Sequence, residues 1–81
     1  MEVRLSKVAE KYLNRLSTPY KTALDKAIKG LEKEPPQGDV KQLVGRKDFR
    51  LRVGDYRVIF ANKPDHRLVV KITPRGEAYK K

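Results

Sequence analysis

Phe49-Arg50-Leu51-Arg52-Val53-Gly54-Asp55-Tyr56-Arg57-Val58-Ile59-Phe60 is the stretch that decides the fold. Two alternating runs are joined by Gly54-Asp55, a two-residue loop of the kind that closes a β-hairpin. That loop length sets the register: Val53 opposite Tyr56, Arg52 opposite Arg57, Leu51 opposite Val58 and Arg50 opposite Ile59. Alternation then gathers Phe49, Leu51, Val53, Tyr56, Val58 and Phe60 on one face, and Arg50, Arg52, Arg57 and Ile59 on the other. Two arginines directly across from each other repel, at roughly 0.2–1 kcal/mol. Three arginines on one small patch of sheet therefore suit an anion. The plainer alternative is a wetted strand face, which Thr, Glu and Lys would serve equally well.

The rest of the chain supplies a cover for the apolar face. Residues 1–5 alternate, with Val3 and Leu5 on one side, and read as a first strand. Ser6 is a good N-cap, and Val8, Ala9, Tyr12, Leu13 and Leu16 follow at helical spacing. Ser17-Thr18-Pro19 breaks this helix, with Thr18 as the next cap and Pro19 at the first helical position. Tyr20, Ala23, Leu24, Ala27, Ile28 and Leu31 form a second apolar stripe, stopped by Glu34-Pro35-Pro36-Gln37-Gly38. Residues 39–47 are a basic connection with room for a short strand. After the hairpin, Asn62-Lys63-Pro64-Asp65 is a turn. Residues 67–73 form a last strand, in which Leu68, Val70 and Ile72 alternate against Arg67, Val69, Lys71 and Thr73. Residues 74–81 are a polar tail.

The fold class is thus α+β, one domain over residues 1–81. An N-terminal strand and a two-helix hairpin precede a three-stranded antiparallel meander, and the helices pack on one face of a four-stranded sheet. The open face carries Arg50, Arg52, Arg57 and Lys71.

Charge points the same way. The chain has 81 residues, 20 Lys and Arg against 10 Asp and Glu, and a net charge of +10. Residues 1–40 contribute +2 of this and residues 41–81 contribute +8. A polyanion is the expected partner, nucleic acid before an anionic membrane or an acidic protein. With no cysteine, disulfide and thiol chemistry are excluded. No apolar run approaches the roughly 18 residues of a membrane span. The N-terminus alternates charge without an apolar signal core, so a cytoplasmic protein is expected. His66 is the single histidine, beside a turn, and has no assigned role. No His/Cys cluster suggests a metal, and no Gly-rich loop suggests a nucleotide cofactor, so none is expected. Asp48 and Asp55 bracket the basic strand as tuning or capping groups.

The tail Thr73-Pro74-Arg75-Gly76-Glu77-Ala78-Tyr79 adds two groups. A Pro-Arg-Gly turn after a strand can direct Arg75 back toward the basic face. The Tyr79 ring can stack on a base, and its phenol can move a proton if nearby cations lower its pKa. The bland reading of such a tail is a frayed end.

Three segments together resemble the RelE/ParE superfamily of bacterial and archaeal toxins from type II toxin–antitoxin modules. They are Val40-Lys41-Gln42-Leu43-Val44-Gly45, the hairpin from Phe49 to Phe60, and Thr73 to Tyr79, and the resemblance spans the whole chain. The RelE branch cuts mRNA in the ribosomal A site by attack of the 2′-OH on the adjacent phosphate. The resemblance implies that Arg50, Arg52, Arg57, Arg75 and Tyr79 are catalytic. Arg57 would clamp the scissile phosphate, Arg75 would stabilise the transition state or assist the leaving 5′-oxygen, and Tyr79 would stack on a base or take the 2′-OH proton. Lys41, Arg46, Lys47, Lys71, Lys80 and Lys81 would touch mRNA or rRNA. It also implies an acidic RelB-like antitoxin, a toxin monomeric when free, and no role for membranes. Two departures stand out. Pro74 occupies a place where many relatives carry His or another basic residue. Arg50 and Arg52 replace lysines of some members, and arginine stays protonated, which moves the proton-acceptor role onto Tyr79. The alternatives are a ParE-like inhibitor of DNA gyrase, whose relatives tend to lack the C-terminal tyrosine, and a nucleic-acid-binding relative without catalysis.

Overall fold

A computed structural model describes residues 1–74. Its elements run β1 (Glu2–Leu5), α1 (Lys7–Arg15), α2 (Thr18–Lys29), a 3-10 turn (Gly30–Glu32), β2 (Asp39–Gln42), β3 (Phe49–Val53), β4 (Tyr56–Asn62) and β5 (His66–Pro74). Among the described residues the strands form one five-stranded sheet in the order β1-β5-β4-β3-β2. β1 runs parallel to β5, and the other neighbours are antiparallel.

The hairpin register is the expected one, from Val53 opposite Tyr56 to Phe49 opposite Phe60. Gly54 takes φ +57° and, among the described residues, no non-glycine residue has positive φ, the pattern of a type II′ turn with glycine first. Tyr56, just after the turn, meets the Tyr12 and Tyr20 rings edge-on at 6.4 and 5.8 Å between centroids. Phe49 and Phe60 stack at 5.6 Å on the same face. The tyrosine contacts pin the hairpin to the helices and leave the opposite face outward.

The core lies between that face and the helices. Ala9 and Leu13 of α1, Leu24 and Ile28 of α2, and Leu31 pack with Leu51, Val58, Phe60, Val69 and Ile72. Each large side chain buried here contributes roughly 1.5–3 kcal/mol. Of the helix stripes expected from spacing, Val8 and Tyr20 stay largely exposed, at 66% and 52%.

Four details differ from the sequence expectations. First, the sheet has a fifth strand. Asp39–Gln42 pairs with β3, placing Val40 opposite Leu51 on the core side. Gly38 leads into it with φ +107°, and an added Cβ would lie 2.7 Å from Leu51 Cδ1. Second, Ser17 rather than Thr18 is the N-cap of α2, with Thr18 already helical ahead of Pro19.

Third, β5 does not alternate evenly. Ile59 pairs with Lys71 but Phe60 pairs with Val69, so Val70 is left over as a bulge. A single extra residue reverses which side chains face inward. Val69 and Ile72 are therefore the buried pair, at 0% and 3% exposure, and Leu68 and Val70 are only half-buried.

Fourth, Arg67 follows Val69 onto the core side and is 4% exposed. Its guanidinium donates to the Leu31 and Lys33 carbonyls, to Asn62 Oδ1 and to Glu34 Oε2, all within 2.7–3.0 Å. A buried cation with that many acceptors is satisfied, and it ties β5 to the end of the helical segment.

Candidate nucleic-acid interface

The open face of the sheet is built from two rows that run across the strands. Strand register puts Asp39, Arg52, Arg57 and Thr73 in one row, and Lys41, Arg50, Ile59 and Lys71 in the next. Alternation from the core-facing Leu51 and Val58 sends all eight outward. Lys41, Arg52 and Lys71 are exposed, Arg57 is half-buried, and Arg50 is 8% exposed. Directly opposed residues of a sheet lie about 4.5–5.5 Å apart at Cβ, so Arg52 and Arg57 can grip one anion between them.

The face is not wholly polar. Ile59 and Leu43 are buried, at 3% and 7%, yet both lie outside the main core cluster. Ile59 stands between Arg50 and Lys71 in its row. A cation beside such an apolar floor attracts an anion more strongly than one in open water.

Arg50 already has an anion. Its Nη1 donates to the Asp39 carbonyl at 2.9 Å and lies 3.2 Å from Asp39 Oδ1. Sequence reasoning missed Asp39, because its place depends on β2. The readable signal was charge complementarity: once β2 is set antiparallel to β3, Asp39 falls opposite Arg52.

The turn between β2 and β3 carries Arg46 and Lys47. The Arg46 N–H donates to the Leu43 carbonyl at 3.2 Å, Gly45 supplies φ +72°, and Arg46 Nη2 pairs with Asp48 Oδ2 at 2.8 Å. Asp48 thus holds this turn, while Asp55 belongs to the hairpin loop. His66 lies at the far end of β5 beside β1, with Nδ1 2.8 Å from Asp65 Oδ1. Among the described residues no group of three or more His, Cys, Asp or Glu side chains is arranged to hold a metal. Arg75, Tyr79, Lys80 and Lys81 lie outside the described residues.

The described part of the site therefore offers converging positive charge. Arginine forks match phosphate oxygens; none of them can accept a proton at neutral pH.

Comparison with known proteins gives this geometry a context. A family model described as the ParE toxin of type II toxin–antitoxin systems, parDE, matches residues 3–79. The chain belongs to the RelE/ParE toxin superfamily. It is a toxin of a type II toxin–antitoxin system. The toxin is similar in structure to the archaeal RelE–RelB complex from Pyrococcus horikoshii OT3, with 30% identity, a TM-score of 0.78, and 94% of this chain and 96% of that one covered. The toxin also shares its fold with a chain of the RelB–RelE complex of Methanococcus jannaschii, at 19% identity, a TM-score of 0.75 and 93% of each chain covered. A chain of the RelBE2 complex of Mycobacterium tuberculosis has the same fold, at 19% identity and a TM-score of 0.72, with 91% of the toxin and 96% of that chain covered. A comparison with curated protein sequences gives no match. No helix among the described residues is long and apolar enough to cross a membrane.

Proposed function

We propose that the toxin is an endoribonuclease that cuts mRNA in the A site of the ribosome. The observation that carries this reading is the pairing of Arg52 with Arg57 on the open face, in rows that also hold Lys41, Arg50 and Lys71. In the reaction the 2′-OH attacks the adjacent phosphorus and the bond to the 5′-oxygen breaks. The products are a 2′,3′-cyclic phosphate and a 5′-OH. Arg57 and Arg52 hold the non-bridging oxygens and stabilise the charge that builds on them. Donors aimed at developing charge are worth about 10²–10³-fold each in rate. Arg50 joins them once the Asp39 carboxylate gives way to phosphate. Tyr79 accepts the 2′-OH proton or stacks on a base, and Arg75 assists the departing 5′-oxygen. Lys41, Arg46, Lys47, Lys71, Lys80 and Lys81 contact the RNA of the message or the ribosome. No metal or organic cofactor takes part in this scheme.

The partner that silences the toxin is an acidic, RelB-like antitoxin. Two things support it: the net charge of +10, and solved relatives that are toxin–antitoxin complexes. The toxin acts in the cytoplasm and is monomeric when free.

A second reading has its own support, because the family model that matches is the ParE one. On that reading the toxin inhibits DNA gyrase and does no RNA chemistry. Primer extension on an mRNA in a reconstituted translation reaction, with a ribosome-free control, separates the two. Ribosome-dependent cuts inside A-site codons are expected. Intact mRNA with inhibition in a supercoiling assay would establish the gyrase reading instead.

A further inference from the structure

We infer that the Asp39 carboxylate is a built-in competitor for RNA phosphate at Arg50, so that binding exchanges one anion for another. The inference rests on the proposed reading of the open face as the RNA-binding surface. Asp39 is the one carboxylate in the two rows of described residues. It stands directly opposite Arg52 and engages the side chain of Arg50, through its carbonyl at 2.9 Å and its carboxylate at 3.2 Å. The two ends of this pair differ in freedom. The Arg50 side chain is 10% exposed and held in place, whereas the Asp39 side chain is 58% exposed. The carboxylate can turn into water while the guanidinium stays, which is the geometry an exchange needs. A carboxylate and a phosphate present the same acceptor pattern to an arginine fork. Asp39 therefore lowers affinity for any single phosphate chain and favours ligands whose other contacts offset the exchange.

The test is fluorescence anisotropy with a short fluorescein-labelled single-stranded RNA of mixed sequence, over a salt series. Asp39→Asn keeps the shape and removes the charge. It is expected to tighten binding about two- to fivefold, the range that an exposed ion pair spans. It should also steepen the log–log salt slope by about 0.7, one phosphate contact on a single strand. Asp39→Glu restores the competitor and the weaker binding. Asp25→Asn, an exposed carboxylate on α2 paired with Lys21, removes the same charge away from the face and leaves the slope unchanged. Unchanged or weaker binding by Asp39→Asn, or an equal gain from Asp25→Asn, overturns the inference. Arg57→Ala separates the two layers. If it leaves RNA binding intact, or if no variant binds RNA, the reading of the face fails along with the inference. If Arg57→Ala weakens binding and Asp39→Asn does not tighten it, only the exchange at Arg50 fails.

Discussion

The Ser6 hydroxyl donates to the Val70 carbonyl at 2.6 Å and accepts from the Ala9 N–H at 3.0 Å. One side chain thus opens α1 and closes the bulge in β5. Val70 is the residue that the β4–β5 ladder skips, and Ser6 supplies a donor to its carbonyl. Ser6→Ala removes both contacts and is expected to destabilise the fold by about 1–2 kcal/mol, read as a shift in the urea midpoint at constant m. Ser6→Thr keeps the hydroxyl and most of the stability. Equal losses in the two variants would assign the effect to side-chain fit and not to the hydroxyl.

Arg52 faces Arg57 across the hairpin, a like-charge pair that costs stability and that the proposed function would use to hold phosphate. Arg52→Thr keeps a strand-forming residue and relieves the repulsion. Its stability should rise by about 0.2–1 kcal/mol, while growth arrest on expression weakens. Chemical denaturation and a growth assay measure the two sides. A variant that loses stability together with toxicity would assign Arg52 to the fold.

These two contrasts mark what was legible in the sequence. The hairpin register follows from the length of the Gly54-Asp55 loop alone, so Arg52 and Arg57 could be set opposite each other at once. The helices were readable from apolar spacing because Leu13, Leu24, Ile28 and Leu31 carry the contact. The β5 bulge was not. An even alternation through residues 67–73 groups Leu68, Val70 and Ile72, and nothing local marks Val70 as the extra residue. The side chain that meets the Val70 carbonyl, Ser6, is distant in sequence. β2 was hard to read for another reason: among its four residues only Val40 is apolar, and that signal is too weak to set against a basic loop. The partnership of Asp39 with Arg50 stayed hidden with it.

Arg67 illustrates the same limit and yields a stability prediction. A cation in an alternating strand reads as outward-facing, yet its acceptors come from Leu31, Lys33, Glu34 and Asn62. Arg67→Ala strips donors from two carbonyls at once and should cost on the order of 3 kcal/mol. Glu34→Gln should cost less than about 1 kcal/mol, because that side chain is 61% exposed and solvent screens the pair. Thermal melts of both variants check the order; equal losses would mean that the carbonyl contacts carry little of the stability.

The acid side of the pH profile has two identifiable contributors. The hydrogen bond from Arg4 holds the Glu2 carboxyl below its ordinary range, and the hydrogen bond from His66 does the same for Asp65. A depressed folded-state value means stability that is complete above the unfolded carboxylate range. It is lost as pH falls through the lower, folded value. His66→Gln should therefore raise the Asp65 titration midpoint toward that of a free carboxylate, as followed by side-chain NMR. Toxicity should not change, since Asp65 and His66 lie at the β1 end of β5, away from the arginine rows. An unmoved Asp65 midpoint would show that His66 is not what holds it low.

Chemistry and binding can be separated at two positions. Arginine does not accept protons near neutral pH, and the one carboxylate in the two rows of described residues, Asp39, is engaged with Arg50, so the proposed scheme draws its base from elsewhere. Tyr79 is the proposed source. Arg57→Ala removes charge and should abolish ribosome-dependent cleavage while the protein still unfolds in one cooperative urea transition. Tyr79→Phe keeps the ring for stacking and removes only the proton acceptor. It should lower the single-turnover cleavage rate by about 10²–10⁴-fold, the usual contribution of a positioned acid or base, with ribosome binding preserved. A Tyr79→Phe toxin that cuts at full rate would move the proton acceptor to another group. A toxin that arrests growth with either substitution and never cuts mRNA would act by binding alone, as gyrase inhibition requires. The rate and the binding constant, measured on the same two variants, therefore separate the enzyme from the inhibitor.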